Sequence, residues 1–204
     1  DLGWDEAGCY GHPTMQTPSI DRLAAQGTRF TFMTGYPMCT PTRVSLLTGR
    51  HGYRTGVINN SMDLGGVAHR MALEEVTIAE ALEPAGYHCG FVGKTHLTAW
   101  NVSEPDYLNK QGFHENFYYA GVTGENLENI NQKIAAPAAG MVYSRWFVPW
   151  VRNGRPIGRR ESYTADVLTG EAVRFIRRNQ EKPFLLWLPY YLVHGPHEAP
   201  RKYI

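Results

Sequence analysis

The residues best suited to chemistry form one short run, Cys39-Thr40-Pro41-Thr42-Arg43. Pro41 fits the first turn of a helix, because its φ is already helical and its missing N–H would be unpaired there in any case. Cys39 is therefore expected at a helix mouth, where backbone N–H groups and the helix dipole stabilise a thiolate and attract anions. Arg43, one turn later, can reach the same place, and its planar fork matches a tetrahedral oxyanion. The run predicts a nucleophile beside an anion site.

Continued through Leu47-Thr48-Gly49-Arg50, the run resembles the signature of the formylglycine-dependent (type I) sulfatases of the alkaline phosphatase-like superfamily. In that family the cysteine of Cys-x-Pro-x-Arg is oxidised after translation to formylglycine. Thr42 stands where the family more often has serine. The resemblance implies that Cys39 is the precursor of formylglycine, and that a formylglycine-generating maturation enzyme is a partner. The alternative interpretation of Cys39 is a small buried apolar residue.

A second segment, Gly93-Lys94-Thr95-His96-Leu97, follows an apolar stretch that predicts a strand. Lys94 and His96 are two residues apart, so an extended backbone or a loop would place both on one side. The segment resembles the family's Gly-Lys-x-His-Leu, although Thr95 and Thr98 depart from its usual aromatic residue and further glycine. The resemblance implies that Lys94 and Arg43 bind the sulfate oxygens and that His96 deprotonates the formylglycine diol. Taken alone, His96 would be interpreted as a surface or core histidine.

A third segment, from His194 to Pro200, follows another apolar stretch. It resembles the sulfatase segment in which a Pro-His pair supplies a histidine to the leaving-group side of the site. By that register, the resemblance implies that His197 protonates the leaving alcohol. For His194 two interpretations stay open, a metal or substrate neighbour and structural support, of which the second is favoured.

Asp1 opens a Gly-rich loop that also contains Asp5 and Glu6. The loop resembles the sulfatase stretch Asp-Asp-Leu-Gly, which supplies two carboxylates to a divalent cation, and Asp1 would be the second of that pair. The resemblance implies Ca²⁺ or Mg²⁺, with Asp1 and the modified Cys39 among the ligands. The alternative interpretation of Asp1 is a solvated turn residue.

The resemblance also implies a reaction. The formylglycine at position 39 would be hydrated to a geminal diol, one oxygen of which binds the cation and attacks sulfur, while deprotonation of the other expels sulfate. We therefore expect a sulfuric ester hydrolase that acts on a sulfated small molecule or carbohydrate. The alternatives are a phosphoester or phosphonate hydrolase of the same superfamily, and a non-catalytic anion-binding homologue.

The bulk composition excludes several other classes of protein. The 204 residues are 43% hydrophobic and 19% charged, as in an ordinary globular protein. The formal net charge of +1 gives no reason to expect nucleic-acid binding. No apolar run reaches the ~18 residues of a spanning helix, so we expect no membrane span. Three cysteines are too few for a disulfide framework, although one Cys9–Cys89 bridge is possible.

Strands that alternate with helices predict an α/β fold with a mostly parallel sheet sandwiched by helices. Helices are predicted over 18–26, after Cys39, from Thr77 towards Pro84 and from Tyr163. Strands are predicted over 28–34, 87–93 and 183–193. Because open α/β sheets bind ligands at the carboxyl ends of their strands, the three site segments should meet on one rim. The segment 100–151 shows aromatic clusters without a sustained period, and it is interpreted as a functional insertion.

The family resemblance bears on the extent of the domain as well. It implies that residues 1–204 are the N-terminal part of a sulfatase catalytic domain, cut at both ends, with a C-terminal portion outside this chain. It further implies a periplasmic, secreted or lysosomal location, with any signal peptide before Asp1.

Overall fold

A mixed sheet of five strands lies between helices in the computed structural model, which describes residues 2–60, 70–97, 106–119, 147–195 and 197–203. The strand His88–Val92 (β1) pairs in parallel with both of its neighbours, and the remaining two pairings are antiparallel. The order across the sheet is β4-β3-β2-β1-β5. The predicted α/β class is confirmed. The strands are β1 (His88–Val92), β2 (Glu115–Tyr119), β3 (Phe147–Arg152), β4 (Arg155–Glu161) and β5 (Phe184–Trp187).

The predicted helices are all present, and short ones accompany them. Thr77 and Glu80 exchange hydrogen bonds in a capping box, which starts α4 where the sequence places it. The helices are α1 (Pro18–Gln26), α2 (Cys39–Thr48), α3 (Gly52–Thr55), α4 (Ile78–Leu82), α5 (Tyr107–Lys110) and α6 (Thr164–Asn179).

Each face of the sheet holds its own apolar cluster. Side chains of β1 alternate between the faces, so Phe91 belongs to one cluster and Val92 to the other. The first cluster takes Val44 from α2 and Leu108 from α5, and the second takes Leu168 from α6. Helices on both faces therefore bury β1, which leads directly into the site.

All three cysteines are free, so the possible Cys9–Cys89 disulfide does not form. Cys89 is fully buried in the first cluster, and its Sγ lies 3.6 Å from the carbonyl oxygen of Ala79. Burial, helped by the nearby Glu83 carboxylate, raises the pKa of the Cys89 thiol. Cys89 is therefore a core residue.

Three of the sequence predictions about local structure need correction. Of the strand predicted over 183–193, only Phe184–Trp187 forms, and the chain turns at 192–195. Residues 28–34 form no strand, and Phe30 and Phe32 are exposed, because alternation of β-formers does not supply the neighbouring strand that a ladder needs. The segment 100–151 is not simply irregular, since it contains α5, β2 and most of β3. Its residues 100–105 and 120–146 lie outside the described part of the chain.

Candidate active site

Cys39 is the first residue of α2 and is half-buried. Met38, which precedes it, has no side-chain acceptor for the free N–H groups of the first turn. The Oδ1 of Asn60 instead accepts a hydrogen bond from the N–H of Thr40 at 3.1 Å. The helix mouth predicted at Cys39 is confirmed. Asn60 caps this helix from a distant position, which no local sequence rule would reveal.

Lys94 reaches Cys39 from the end of β1. Its Nζ lies 3.3 Å from the Sγ of Cys39, and only 3% of the lysine is exposed. The preceding Gly93 has a φ of 141°, and a Cβ there would collide with the carbonyl oxygen of Pro189. The N–H of Lys94 donates to that same oxygen at 2.8 Å. Glycine thus allows the segment after β5 to pack against the end of β1.

Arg43 lies one helical turn beyond Cys39 and points to the same place. One of its terminal nitrogens donates to the carbonyl oxygen of Lys94 at 2.8 Å. Burial lowers the pKa of Arg43, and the nearby Cys39 and Tyr191 partly offset this effect. Its Nε is buried and has no hydrogen-bond partner within the described ranges. The guanidinium therefore retains donor capacity for a ligand.

His96 lies close enough to Lys94 and Arg43 for their positive charges to lower its pKa. Burial, followed by the positive charges of Lys94, Arg43 and His194, lowers the pKa of His96 to about 3. Its φ of 49° is in the left-handed region, which is uncommon for a residue other than glycine. The imidazole of the free site is therefore neutral at physiological pH.

Of the two remaining predicted site residues, only His197 lies in the described part of the chain. It is exposed, and no contact seen in the described residues joins it to Cys39, Arg43, Lys94 or His96. His194 is exposed as well, but its charge lowers the pKa of His96, and its backbone N–H donates to the carbonyl oxygen of Tyr191 at 2.9 Å. Asp1 lies outside the described residues.

The described side chains do not by themselves form a site for a divalent cation. Ca²⁺ and Mg²⁺ prefer carboxylate and carbonyl oxygens. Within the described ranges, no group of three or more His, Cys, Asp or Glu side chains could hold a metal ion. The side chains gathered around Cys39 are instead the donors Arg43 and Lys94, which suit an anion.

Two aromatic residues that the sequence analysis did not select also contact the site. The Nζ of Lys94 lies 5.5 Å from the ring centroid of Tyr191, and the guanidinium carbon of Arg43 lies 5.9 Å from that of Trp187. Both rings come from the end of β5 and the turn after it. The one sequence signal for them is the aromatic-rich run from Trp187 to Tyr191 between a strand and a His-containing segment.

The fold and the side chains around Cys39 together define an α/β protein with a candidate anion site at the carboxyl end of β1. The sulfatase family model matches residues 1–204, so the chain belongs to the sulfatase family. Human arylsulfatase H is 29% identical over 270 aligned residues, which cover 100% of this chain and 47% of that protein. Human arylsulfatase A is 48% identical over 101 residues, which cover 48% of this chain and 19% of that protein.

Solved structures share the same fold. Ps i-CgsB is 29% identical with a TM-score of 0.79, over 99% of this chain and 45% of that one. Its complex with k-i-k-neocarrahexaose gives 25% identity and a TM-score of 0.73, over the same shares of 99% and 45%. The chain spans about half, or less, of the length of each of these relatives. None of the helices in the described residues is long and apolar enough to cross a membrane.

Proposed function

We propose that the full-length protein hydrolyses sulfate esters and releases inorganic sulfate and an alcohol. One observation carries the proposal: the Nζ of Lys94 lies 3.3 Å from the Sγ of Cys39 at the mouth of α2, where Arg43 also points. Family membership supports it and implies formylglycine at Cys39 and a divalent cation. Once formed, formylglycine would supply a hydrated aldehyde whose hydroxyl is the nucleophile.

Arg43 and Lys94 would bind the non-bridging oxygens of the sulfate group. Both present several N–H donors and a full positive charge, which attract the anionic substrate. The charge on these oxygens changes as the ester bond breaks, and donors fixed in advance stabilise the transition state. The carbonyl of Lys94, which accepts the hydrogen bond from Arg43, keeps the two cations side by side.

His96 would deprotonate the formylglycine diol. In the free site its pKa of about 3 makes it a weak base, because burial of the ring, and then the positive charges of Lys94, Arg43 and His194, disfavour the protonated form. A bound sulfate group offsets that charge and raises the pKa of His96 towards its ordinary value. The base would therefore gain strength only when substrate is present.

His194 is our candidate for the acid that protonates the leaving alcohol. His194 and His197 are both exposed. The charge of His194 lowers the pKa of His96, whereas His197, to which the sequence resemblance assigns this role, contacts none of the residues around Cys39 in the described part of the chain. A general acid must lie within hydrogen-bond reach of the group that it protonates. His197 stays the alternative, and the two are compared directly by variants described in the Discussion.

Two substrate classes follow from the named relatives. Two of them are arylsulfatases, and one solved relative binds k-i-k-neocarrahexaose, a carbohydrate. We propose a sulfated carbohydrate as the substrate of this protein, with aryl sulfates as assay substrates. The family also supports a formylglycine-generating enzyme as a maturation partner and a periplasmic, secreted or lysosomal location.

The test is sulfate release from an aryl sulfate by the full-length protein produced with a formylglycine-generating enzyme. We expect turnover in the wild type and none above background in Cys39→Ala. Equal release by both would contradict the assignment of Cys39. Faster turnover of the matched aryl phosphate would favour the phosphoester hydrolase, and an unmodified Cys39 peptide without turnover would favour the binding homologue.

A further inference from the structure

Two aromatic rings from a single segment lie against the two cations of the site. Trp187 ends β5, and Tyr191 follows it in the next turn. Arg43 lies 5.9 Å from the first ring and Lys94 5.5 Å from the second, within the ~6 Å at which a ring face attracts a cation. We propose that Trp187 and Tyr191 are positioning residues that hold Arg43 and Lys94 for the sulfate group. This inference rests on the proposed function.

The rings can act as supports because they are themselves held in place. Tyr191 stacks on Tyr119 of β2 with centroids 3.8 Å apart, and its hydroxyl donates to the carbonyl oxygen of Tyr119 at 3.3 Å. Only 7% of Tyr191 is exposed. Trp187 meets the edge of Phe91 in β1, with ring centroids 5.0 Å apart. Contacts with the sheet therefore fix both rings.

A ring face is well suited to hold a cation that must also bind an anion. It attracts the cation through its quadrupole but carries no net charge, so the cation keeps its full charge for the sulfate oxygens. A carboxylate in the same position would cancel that charge. Lys94 gains most from such a support, because its four-carbon stem is flexible and its position near Cys39 must be maintained.

The experiment compares Tyr191→Leu with Tyr191→Phe in the full-length protein. We expect the leucine variant to raise both the KM for an aryl sulfate and the inhibition constant of inorganic sulfate about tenfold, or about 1.4 kcal/mol. The phenylalanine variant keeps the ring and should stay within about twofold of the wild type. The kcat should change less than KM, because the ring supports binding in the ground state as well as in the transition state.

Tyr190→Leu is the matched control. The hydroxyl of Tyr190 contacts that of Thr169 in α6 at 2.6 Å, and its side chain packs against the second apolar cluster. This variant should lower the Tm without changing the inhibition constant of sulfate. Tyr191→Met, which fills the space of the ring with a flexible apolar chain, replaces Tyr191→Leu if the latter does not fold.

In the kinetic measurements, two results would overturn the proposal. One is a folded Tyr191→Leu or Tyr191→Met variant with unchanged KM and sulfate inhibition. The other is an equal effect of Tyr191→Phe, which would assign the role to the hydroxyl bond with Tyr119. If the wild type releases no sulfate, the rise in Tm that inorganic sulfate causes is compared instead. An equal rise in the wild type and the ring-free variant, or no rise in the wild type, overturns the proposal independently of catalysis.

Discussion

Basic side chains lie at both ends of β1, but their contacts differ between the two ends. At the start of the strand, the carboxylate of Glu115 contacts His88 at 3.0 Å and also Arg178. At the other end, Arg43 contacts a backbone carbonyl and a ring face. No ion pair with a carboxylate involves Arg43 in the described part of the chain. Because a cation away from water needs a partner, we expect an anionic ligand to complete the end of the sheet where Arg43 lies.

A second carboxylate reinforces the contrast. Glu171 of α6 is 6% exposed and lies between Arg152 and Arg174. Burial alone would raise the pKa of Glu171, but hydrogen bonds from Arg174 and Arg152 and the charges of both hold it below its ordinary value. The same residue type, arginine, thus stabilises the fold under α6 and serves the site at the end of β1. The partners of an arginine, and not its type alone, indicate its role.

The largest effect is expected for a substitution of Arg43, which tests this difference between the two ends of β1. Arg43→Ala should lower kcat/KM for an aryl sulfate by about a thousandfold, because it removes donors that stabilise the charge on the sulfate oxygens. Arg178→Ala should stay within about twofold, since Arg178 is exposed and its removal affects only an ion pair with Glu115. Steady-state kinetics of sulfate release measures both. Equal losses would mean that the two ends do not differ in function.

The next effect separates the two histidines of the third segment. His194→Ala should lower kcat for an alkyl sulfate, whose leaving group needs a proton, by about a hundredfold. It should lower kcat less for an aryl sulfate, whose leaving group needs no acid. His197→Ala should leave both within about threefold, because no contact in the described part of the chain joins His197 to the residues around Cys39. A large loss in His197→Ala and a small loss in His194→Ala would instead support His197 as the general acid.

A smaller effect concerns stability and pH. His96 has a folded pKa of about 3, below the ordinary 6.5, so the unfolded chain binds more protons between these values. The contribution of the neutral imidazole to the free energy of unfolding is complete above about pH 6.5 and is lost as the pH falls towards 3. Between pH 6.5 and 4.5, His96 should cost the wild type about 2 kcal/mol of its free energy of unfolding. His96→Asn, in which asparagine suits the left-handed φ, should not show this loss. Denaturant unfolding at several pH values measures this difference. If the free energy of unfolding changed equally with pH in the wild type and in His96→Asn, this prediction would be contradicted.

The smallest effect should be purely structural. Glu171→Gln weakens two ion pairs under α6 and should lower the free energy of unfolding by about 1 kcal/mol. Sulfate release by the folded variant should match the wild type, since Glu171 contacts none of the residues around Cys39 in the part of the chain that the structure describes. Urea unfolding followed by circular dichroism measures the change. A loss of turnover in the folded variant would show that the ion pairs under α6 also support the site.

Local sequence rules account for the parts of the site that local structure builds. Pro41 and the run that follows it predict α2, and the Thr77 cap predicts α4; both helices are present. The strand predicted over 87–93 delivers Lys94, and its parallel neighbours confirm the α/β class. The roles given to Cys39, Arg43, Lys94 and His96 stay proposals. Their proximity is what the fold adds to the motif.

The remaining features depend on contacts between distant parts of the chain. Residues 28–34 have a strand-like pattern, but a strand also needs a partner at the right distance. Trp187 and Tyr191 meet Arg43 and Lys94 only because Gly93 lets the turn after β5 pack on the end of β1. The choice between His194 and His197 depends on where the chain turns after β5. Spacing within a motif does not determine that turn.

The most direct test of the account is sulfate binding measured without turnover. The Tm of full-length Cys39→Ala is followed as inorganic sulfate is added, against chloride of equal ionic strength, and the titration is repeated with Arg43→Ala or Arg178→Ala added. We expect sulfate to raise the Tm of Cys39→Ala and of the Arg178 double variant alike, and to lose this effect in the Arg43 double variant. An equal rise in both double variants would contradict the claim that the Arg43 end of the sheet binds the sulfate group.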